Sequence, residues 1–241
     1  MESFDILKLI ILIGFIIIFL ARFIGKFFFK NNFLTTRFIA RTAVFAAISI
    51  VLYTVPFFKF SLPIFPSFLE IHLDEIPALM AGFAYGPLSG FLVVLTKTIV
   101  KLPLTSTACV GELADFIYSS AFVIPAALIY KYHRNLKGAI ISLVVASLIQ
   151  IVISSCLTTF VMLDIYGSLF HLSRETILKM CQLVNPAFKN INDTGASFLF
   201  AFMLMVGIPF NALKDLIVVL ITFALYKRLR NLFKKIDAQK N

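Results

Sequence analysis

Long apolar runs, broken by short polar turns, follow one another along the chain. Runs of about twenty residues are long enough to cross the ~30 Å hydrocarbon core of a bilayer as helices. They fall at 5–25, 38–58, 138–163 and 199–226, and a fifth at 111–130 opens with acids but has the length. The segment 74–101 is of a different kind. Residues 76–96 carry no charge, yet Gly86-Pro87 interrupts them, and proline disfavours helix at the residue before it. The segment therefore reads either as one span or as two short helices, 74–86 and 88–101, of about 20 Å each at ~1.5 Å per residue.

The distribution of lysine and arginine decides between these, because cytoplasmic loops collect basic residues. With a hairpin at Gly86-Pro87, three basic clusters share one side of the membrane. Five Lys and Arg lie between Arg22 and Arg41, three between Lys131 and Lys137, and six between Lys227 and Lys240, of 22 in all. The opposite side receives Lys8, Lys59, Lys101, Arg174, Lys179 and Lys189, while Lys97 and Lys214 stay within the membrane. A single span at 74–101 would put the last two clusters opposite the first. The expectation is an all-α polytopic protein of the cell (plasma) membrane with seven spans, its N-terminus outside and its C-terminus in the cytoplasm.

Composition agrees: 60% of residues are hydrophobic and 14% charged, against ~45–50% and ~25% for a soluble domain. The net charge of +10 sits at the ends of apolar runs, so it reads as membrane topology and not as nucleic-acid binding. Glu2 and Asp5 precede the first run where a cleavable signal would carry basic residues. No phosphate-binding Gly-x-x-x-x-Gly-Lys-Ser/Thr loop, His-Glu-x-x-His or Gly-x-Ser-x-Gly is present, so the chain has no nucleotide motif of its own to drive transport. His72, His133 and His171 are scattered and Cys109, Cys156 and Cys181 lack ligand spacing, which leaves no metal site. A Cys109–Cys181 disulfide between outer loops stays open.

Ionisable residues inside apolar runs carry the candidate chemistry. Lys214 lies in the last run, about thirteen residues before Lys227. An unpartnered ammonium there costs about 2.5–3.5 kcal/mol on insertion scales. Asn211, one turn earlier, shares its helix face. A lysine snorkelling to a helix end is the competing explanation, and the distance to the basic tail favours a site. Lys97 lies in the second hairpin helix. Asp74-Glu75 precede Ile76-Pro77, and Glu112 and Asp115 open the next span; for both pairs, capping of a helix N-terminus is the rival reading. Asp164 ends the long span at the outer interface. Acids, two lysines and an amide within aromatic and aliphatic walls suit a small polar organic molecule with a ring system better than an inorganic ion. Two outer segments have the size to close over it. Residues 58–73 are rich in proline and phenylalanine, and 164–198 contain a short helix from Ser173 that presents Ile177, Leu178, Cys181 and Val184 and stops before Pro186.

Several stretches resemble one known family. They are Ile64-Phe65-Pro66, Asp74-Glu75-Ile76-Pro77, Gly82-Phe83-Ala84-Tyr85-Gly86-Pro87 with Gly90, Lys97, Gly111-Glu112-Leu113-Ala114-Asp115-Phe116, Pro125, Tyr130, Asn185-Pro186 and Pro209-Phe210-Asn211-Ala212-Leu213-Lys214. Together they resemble the substrate-binding S component of energy-coupling-factor (ECF) vitamin transporters, most of all its riboflavin-specific branch, from Arg37 to Arg230. The resemblance implies a six-helix core that captures a vitamin from outside and pairs with a transmembrane coupling subunit and two ATPase subunits. It implies no cofactor, riboflavin being the transported ligand, and no enzyme activity.

It further implies that Asn211 and Lys214 hydrogen-bond the ligand, with Thr158, Glu75, Lys97, Glu112 and Asp115 around them. Ala43 and Ala47, small residues at i, i+4 that let helices approach closely, match the motif that contacts the coupling subunit. The chain departs from the flavin pattern at Thr158-Thr159-Phe160, where Asn-Tyr-Phe is usual, and at Asp164, where a proline is expected nearby. It departs also at His72, where an aspartate is usual, and at Asp115, where an asparagine is. Residues 1–30 are expected as an extra transmembrane helix, 31–230 as the binding domain and 231–241 as a basic cytoplasmic tail. Two alternatives remain: an S component for another vitamin, or a membrane-embedded enzyme using Glu112, Asp115 and Lys97 as acid–base groups.

Overall fold

The computed structural model describes residues 35–238 except 67, 106 and 192, with side chains as far as Arg228. The expected first span at 5–25 lies outside the described residues. Helix α1 (Thr36–Thr54) starts on Thr35, whose hydroxyl accepts from the Phe38 N–H at 3.3 Å. It stops at Val55, held extended before Pro56. Two-residue strands β1 (Phe60–Ser61) and β2 (Glu70–Ile71) then pair antiparallel, Phe60 opposite Ile71. They turn the proline-rich segment 58–73 into a strap instead of a slack linker.

The hairpin expected at Gly86-Pro87 is present. Helix α2 (Glu75–Tyr85) ends at Gly86, whose φ of +101° only glycine adopts without strain, and α3 (Pro87–Lys101) begins on Pro87 at its first turn. At eleven residues α2 is ~16 Å long and does not cross a bilayer alone. Gly90 permits the sharp fold: a Cβ there would come 2.6 Å from Val123 Cγ1 and 3.2 Å from Gly82 Cα. The hairpin thus packs flat against α4 (Val110–Tyr132). Helix α5 (Leu136–Leu157), capped by Asn135, runs through a π-turn at Thr158–Met162 into α6 (Leu163–Leu169). After the surface helix α7 (Arg174–Val184), α8 (Ala196–Phe202) passes through a second π-turn, Met203–Gly207, into α9 (Ile208–Ala238). Each π-turn inserts one residue, so the side chains after it are rotated by about 100° from the register of an uninterrupted helix.

Among the described residues, five helical stretches are long and apolar enough to cross a membrane: Thr36–Thr54, Pro87–Leu104, Val110–Tyr132, Leu136–Leu169 and Ala196–Arg228. Many of their large apolar side chains, such as Val44, Leu148, Val152 and Leu220, face outward, as a lipid-facing surface requires. One apolar core joins α2 to α5 through Phe83, Phe91, Phe122 and Leu143. A second lies under the strap and joins Phe65 and Ile71 to Phe188, Phe198, Phe202 and Phe210.

Helix α7 starts on Ser173 and buries Ile177, Leu178 and Cys181 as expected. Val184, expected beside them, is 41% exposed because the helix ends there and the chain turns at Pro186. Arg174 ties α7 to the long helix through paired bonds to Asp164, Nε at 2.7 Å and Nη2 at 2.9 Å. Cys109, Cys156 and Cys181 are all free thiols. The Cys109–Cys181 bridge left open by the sequence is therefore absent, and burial in the second core pushes the Cys181 thiol up to about 12.

Candidate functional site

A cavity of about 450 Å³ lies beneath the strap, at the end of the bundle where α2 and α4 begin and α3 and α6 end. Five of the seven residues expected at a binding site line it: Asn211, Lys214, Thr158, Glu112 and Asp115. Glu75 and Lys97 do not. Both are fully buried behind the wall, where they hold the lining residues in place.

Lys97 uses all three ammonium protons, donating to Asp74, to Asp115 Oδ2 at 2.9 Å and to Ser119 Oγ at 2.8 Å. Its ammonium also lies 4.8 Å from the centroid of the Tyr53 ring, a cation–π contact worth ~2 kcal/mol when desolvated. The Ser119 hydroxyl donates onward to Glu75 Oε1 at 3.2 Å, and the same oxygen accepts from Lys214 Nζ at 2.9 Å. Asp74, Glu75 and Asp115 are therefore threaded by two lysines and one serine.

The capping readings of these acids are corrected by this arrangement. Asp74 stands at the N-cap of α2 but makes no side-chain bond to the helix. Two buried ammoniums demand carboxylates, a requirement of several kcal/mol per ion, while a helix terminus offers ~0.3–1 kcal/mol. Glu112 stays in the first turn of α4 and accepts from the Thr105 and Thr107 hydroxyls, each at 2.8 Å.

Asn211 is positioned from α9 by the second π-turn. Its amide nitrogen donates to the Gly207 carbonyl at 2.8 Å and to Ser155 Oγ at 3.3 Å. That fixes which end of the amide is which and leaves the carbonyl oxygen for the cavity. Lys214, one turn on, donates one proton to Glu75 and keeps two. Asp215, next in sequence, points to α5 instead, where it faces the Gln150 amide, while Lys214 bonds to Glu75.

Tyr53, His72, Tyr118, Tyr166, Phe68 and Phe210 also line the cavity and went unmarked in the sequence as site residues. They supply flat walls and hydroxyls. At the mouth, Lys59 and Lys101 stand over Tyr53 at 5.4 and 5.9 Å, and Glu70 faces Lys59 at 3.8 Å. A hydrogen bond from His72, helped by the Lys59 charge, holds the Glu70 carboxyl below its ordinary range. Among the described residues, no three His, Cys, Asp or Glu side chains converge as a metal-ligand set.

A family model described as "ECF transporter, substrate-specific component" matches residues 37–226. "Riboflavin transporter RibU" of Staphylococcus aureus (strain TCH60) is 29% identical over 196 residues, which cover 81% of this chain and 93% of that protein. "Riboflavin transporter FmnP" of Bacillus subtilis (strain 168) is 26% identical over 136 residues, 55% of this chain and 72% of the relative. A solved structure, "Structure and mechanism of the S component of a bacterial ECF transporter", superposes with a TM-score of 0.61 at 26% identity, over 82% of this chain and 98% of its own. The family match spans every helix that builds the cavity. The chain therefore belongs to the substrate-specific components of ECF transporters, membrane transport subunits and not enzymes, which removes the reading of Glu112, Asp115 and Lys97 as acid–base catalysts.

Proposed function

We propose that this chain captures riboflavin on the outer side of the cell membrane for uptake by an ECF module. The observation that carries the reading is the pair Asn211 and Lys214. They stand one helical turn apart on the cavity wall, with an amide oxygen and two ammonium protons unspent. A flavin ring presents an edge of carbonyl, N–H and carbonyl, which such a donor and acceptor complement, while Phe68, Tyr118, Tyr166 and Phe210 flank the space with the apolar faces a tricycle needs. The relatives named as riboflavin transporters agree with this chemistry. Glu75 and Lys97 serve as supports that fix Lys214 and Asp115. The strap at 58–73, which contributes Phe68, Leu69 and His72 to the wall, closes over the bound ligand.

Purified protein is expected to quench riboflavin fluorescence on titration. No flavin binding at micromolar ligand would remove the riboflavin reading and leave a nutrient of another class.

Transport itself falls to partners. This subunit joins a transmembrane coupling subunit and two ATPases, with its N-terminus outside and its C-terminus in the cytoplasm. The docking face is on α1. Its inner side is fixed to the bundle by the Thr42–Ser89 hydroxyl pair at 2.8 Å and by Ser49 donating to the Asp74 carbonyl at 2.7 Å. Ala43 and Ala47 are exposed on the other side, where small residues let a partner helix approach closely. Ala43→Trp or Ala47→Trp is expected to leave flavin binding unchanged and to abolish co-purification with the coupling subunit. Loss of ligand binding would instead make these alanines packing residues.

A further inference from the structure

Several hydroxyls inside the spans bond back along their own helix. Thr54, Thr96, Thr98 and Ser154 each donate to the carbonyl four residues earlier, at 2.7–2.9 Å, the usual way to satisfy a hydroxyl away from water. Thr158 does otherwise. It opens the π-turn of the long helix, and its hydroxyl meets the Tyr118 phenol at 3.0 Å. Tyr118 stands on the face of α4 that also brings Gly111, Glu112 and Asp115 to the cavity, and both hydroxyl residues line it.

Two hydroxyls in contact use one proton between them. The second proton and the remaining lone pairs are spare, and a hydroxyl removed from water without a partner is costly. Position adds to this. Asn211 reaches Ser155 Oγ at 3.3 Å, and Ser155 lies one turn before Thr158. The polar groups on the wall therefore form a row: the Lys214 ammonium, the Asn211 amide, then the Tyr118–Thr158 pair. The row reads donor, acceptor, donor, the complement of an edge that reads acceptor, donor, acceptor. The Thr158 side chain is short, and the phenol extends well beyond it.

We propose that the Tyr118 phenol is a ligand-contacting residue, donating to the ring carbonyl of the flavin edge that Lys214 leaves free, and that Thr158 is the positioning residue that holds the phenol. This rests on the flavin reading above and adds to it the group that reads the far end of the ring edge.

The test uses the full chain in detergent, titrated with riboflavin, 2-thioriboflavin and 4-thioriboflavin, since sulfur is a weak acceptor. Wild type is expected to bind both thio compounds more weakly than riboflavin. Tyr118→Phe is expected to lower riboflavin affinity about tenfold, the size of one hydrogen bond. It should erase the thio penalty at one ring position and keep it at the other, with the ligand-free protein still showing a cooperative melting transition. Thr158→Val, which keeps the phenol, is expected to shrink the same penalty, and Thr158→Asn in the Tyr118→Phe background to restore part of the affinity. Riboflavin bound by Tyr118→Phe as tightly as by wild type, or both penalties surviving in it, would overturn the contact. An undiminished penalty in Thr158→Val would overturn the positioning role. A wild-type chain that binds no flavin overturns the reading beneath it, an outcome separable from the others because wild type is measured first.

Discussion

Lys97→Met is expected to be the most destabilising single substitution in the binding region, costing about 3–5 kcal/mol. The lysine is 0% exposed and satisfies Asp74, Asp115 and Ser119 at once. Methionine fills a similar volume, so little of the cost comes from packing. The loss comes from two carboxylates stripped of their shared counter-ion, Asp74 fully buried and Asp115 on the cavity wall, together with the contact to the Tyr53 ring. Thermal unfolding in detergent should show a much lower midpoint and a poor yield of folded protein. Lys97→Met combined with Asp74→Asn and Asp115→Asn is expected to recover most of the midpoint, because the neutral amides no longer need a counter-charge. A Lys97→Met protein as stable as wild type would mean that the acids find other partners and that the network does not hold α2, α3 and α4 together.

Much of the architecture was legible because it depends on local rules. The Gly86-Pro87 break follows from the φ that glycine tolerates and from proline at a first helical turn, and the counting of basic residues chose the hairpin over a single span. Ser173 announced α7 by its capping chemistry. Asn211 and Lys214 were legible as a pair because three residues along a helix is nearly a full turn. Other features depend on contacts that sequence spacing does not encode. Asp74 looked like a cap because an acid next to a helix start usually is one. Its partner Lys97 is 23 residues away, brought there by the hairpin. The same hairpin placed Glu75 and Lys97 behind the cavity wall instead of on it.

The aromatic lining was hidden for a different reason. Tyr53 and Tyr118 lie in apolar runs where an aromatic residue is as much at home facing lipid as facing a cavity, and Tyr166 lies just past one, in a segment that reads as an outer loop. The π-turns at Thr158–Met162 and Met203–Gly207 add one residue each, so a face drawn with a constant 3.6-residue period is wrong beyond them. Thr158 opens the first of those turns and Asn211 follows the second by one helical turn, which is why periodicity alone could not show that they approach the same wall.

Lys214→Met is expected to have the largest effect on ligand binding, a loss of about 100-fold or more. A hydrogen bond from a charged donor in a closed site is worth about 1.5–3 kcal/mol, and tenfold corresponds to about 1.4 kcal/mol. The donor itself accounts for most of that range, and Glu75, stripped of its partner at 2.9 Å, adds to it by disturbing the Ser119 bridge toward Lys97. The two contributions are separable. In Lys214→Met with Glu75→Leu the buried acid is gone, so stability should return while binding stays lost. Glu75→Gln alone keeps the ammonium but loosens its aim, and about a tenfold weakening is expected. These variants form a cycle in which stability and affinity respond to different members. If the double substitution restored binding together with stability, Lys214 would be only a counter-ion for Glu75, and the cavity would have to recognise its ligand through Asn211 and the hydroxyls alone.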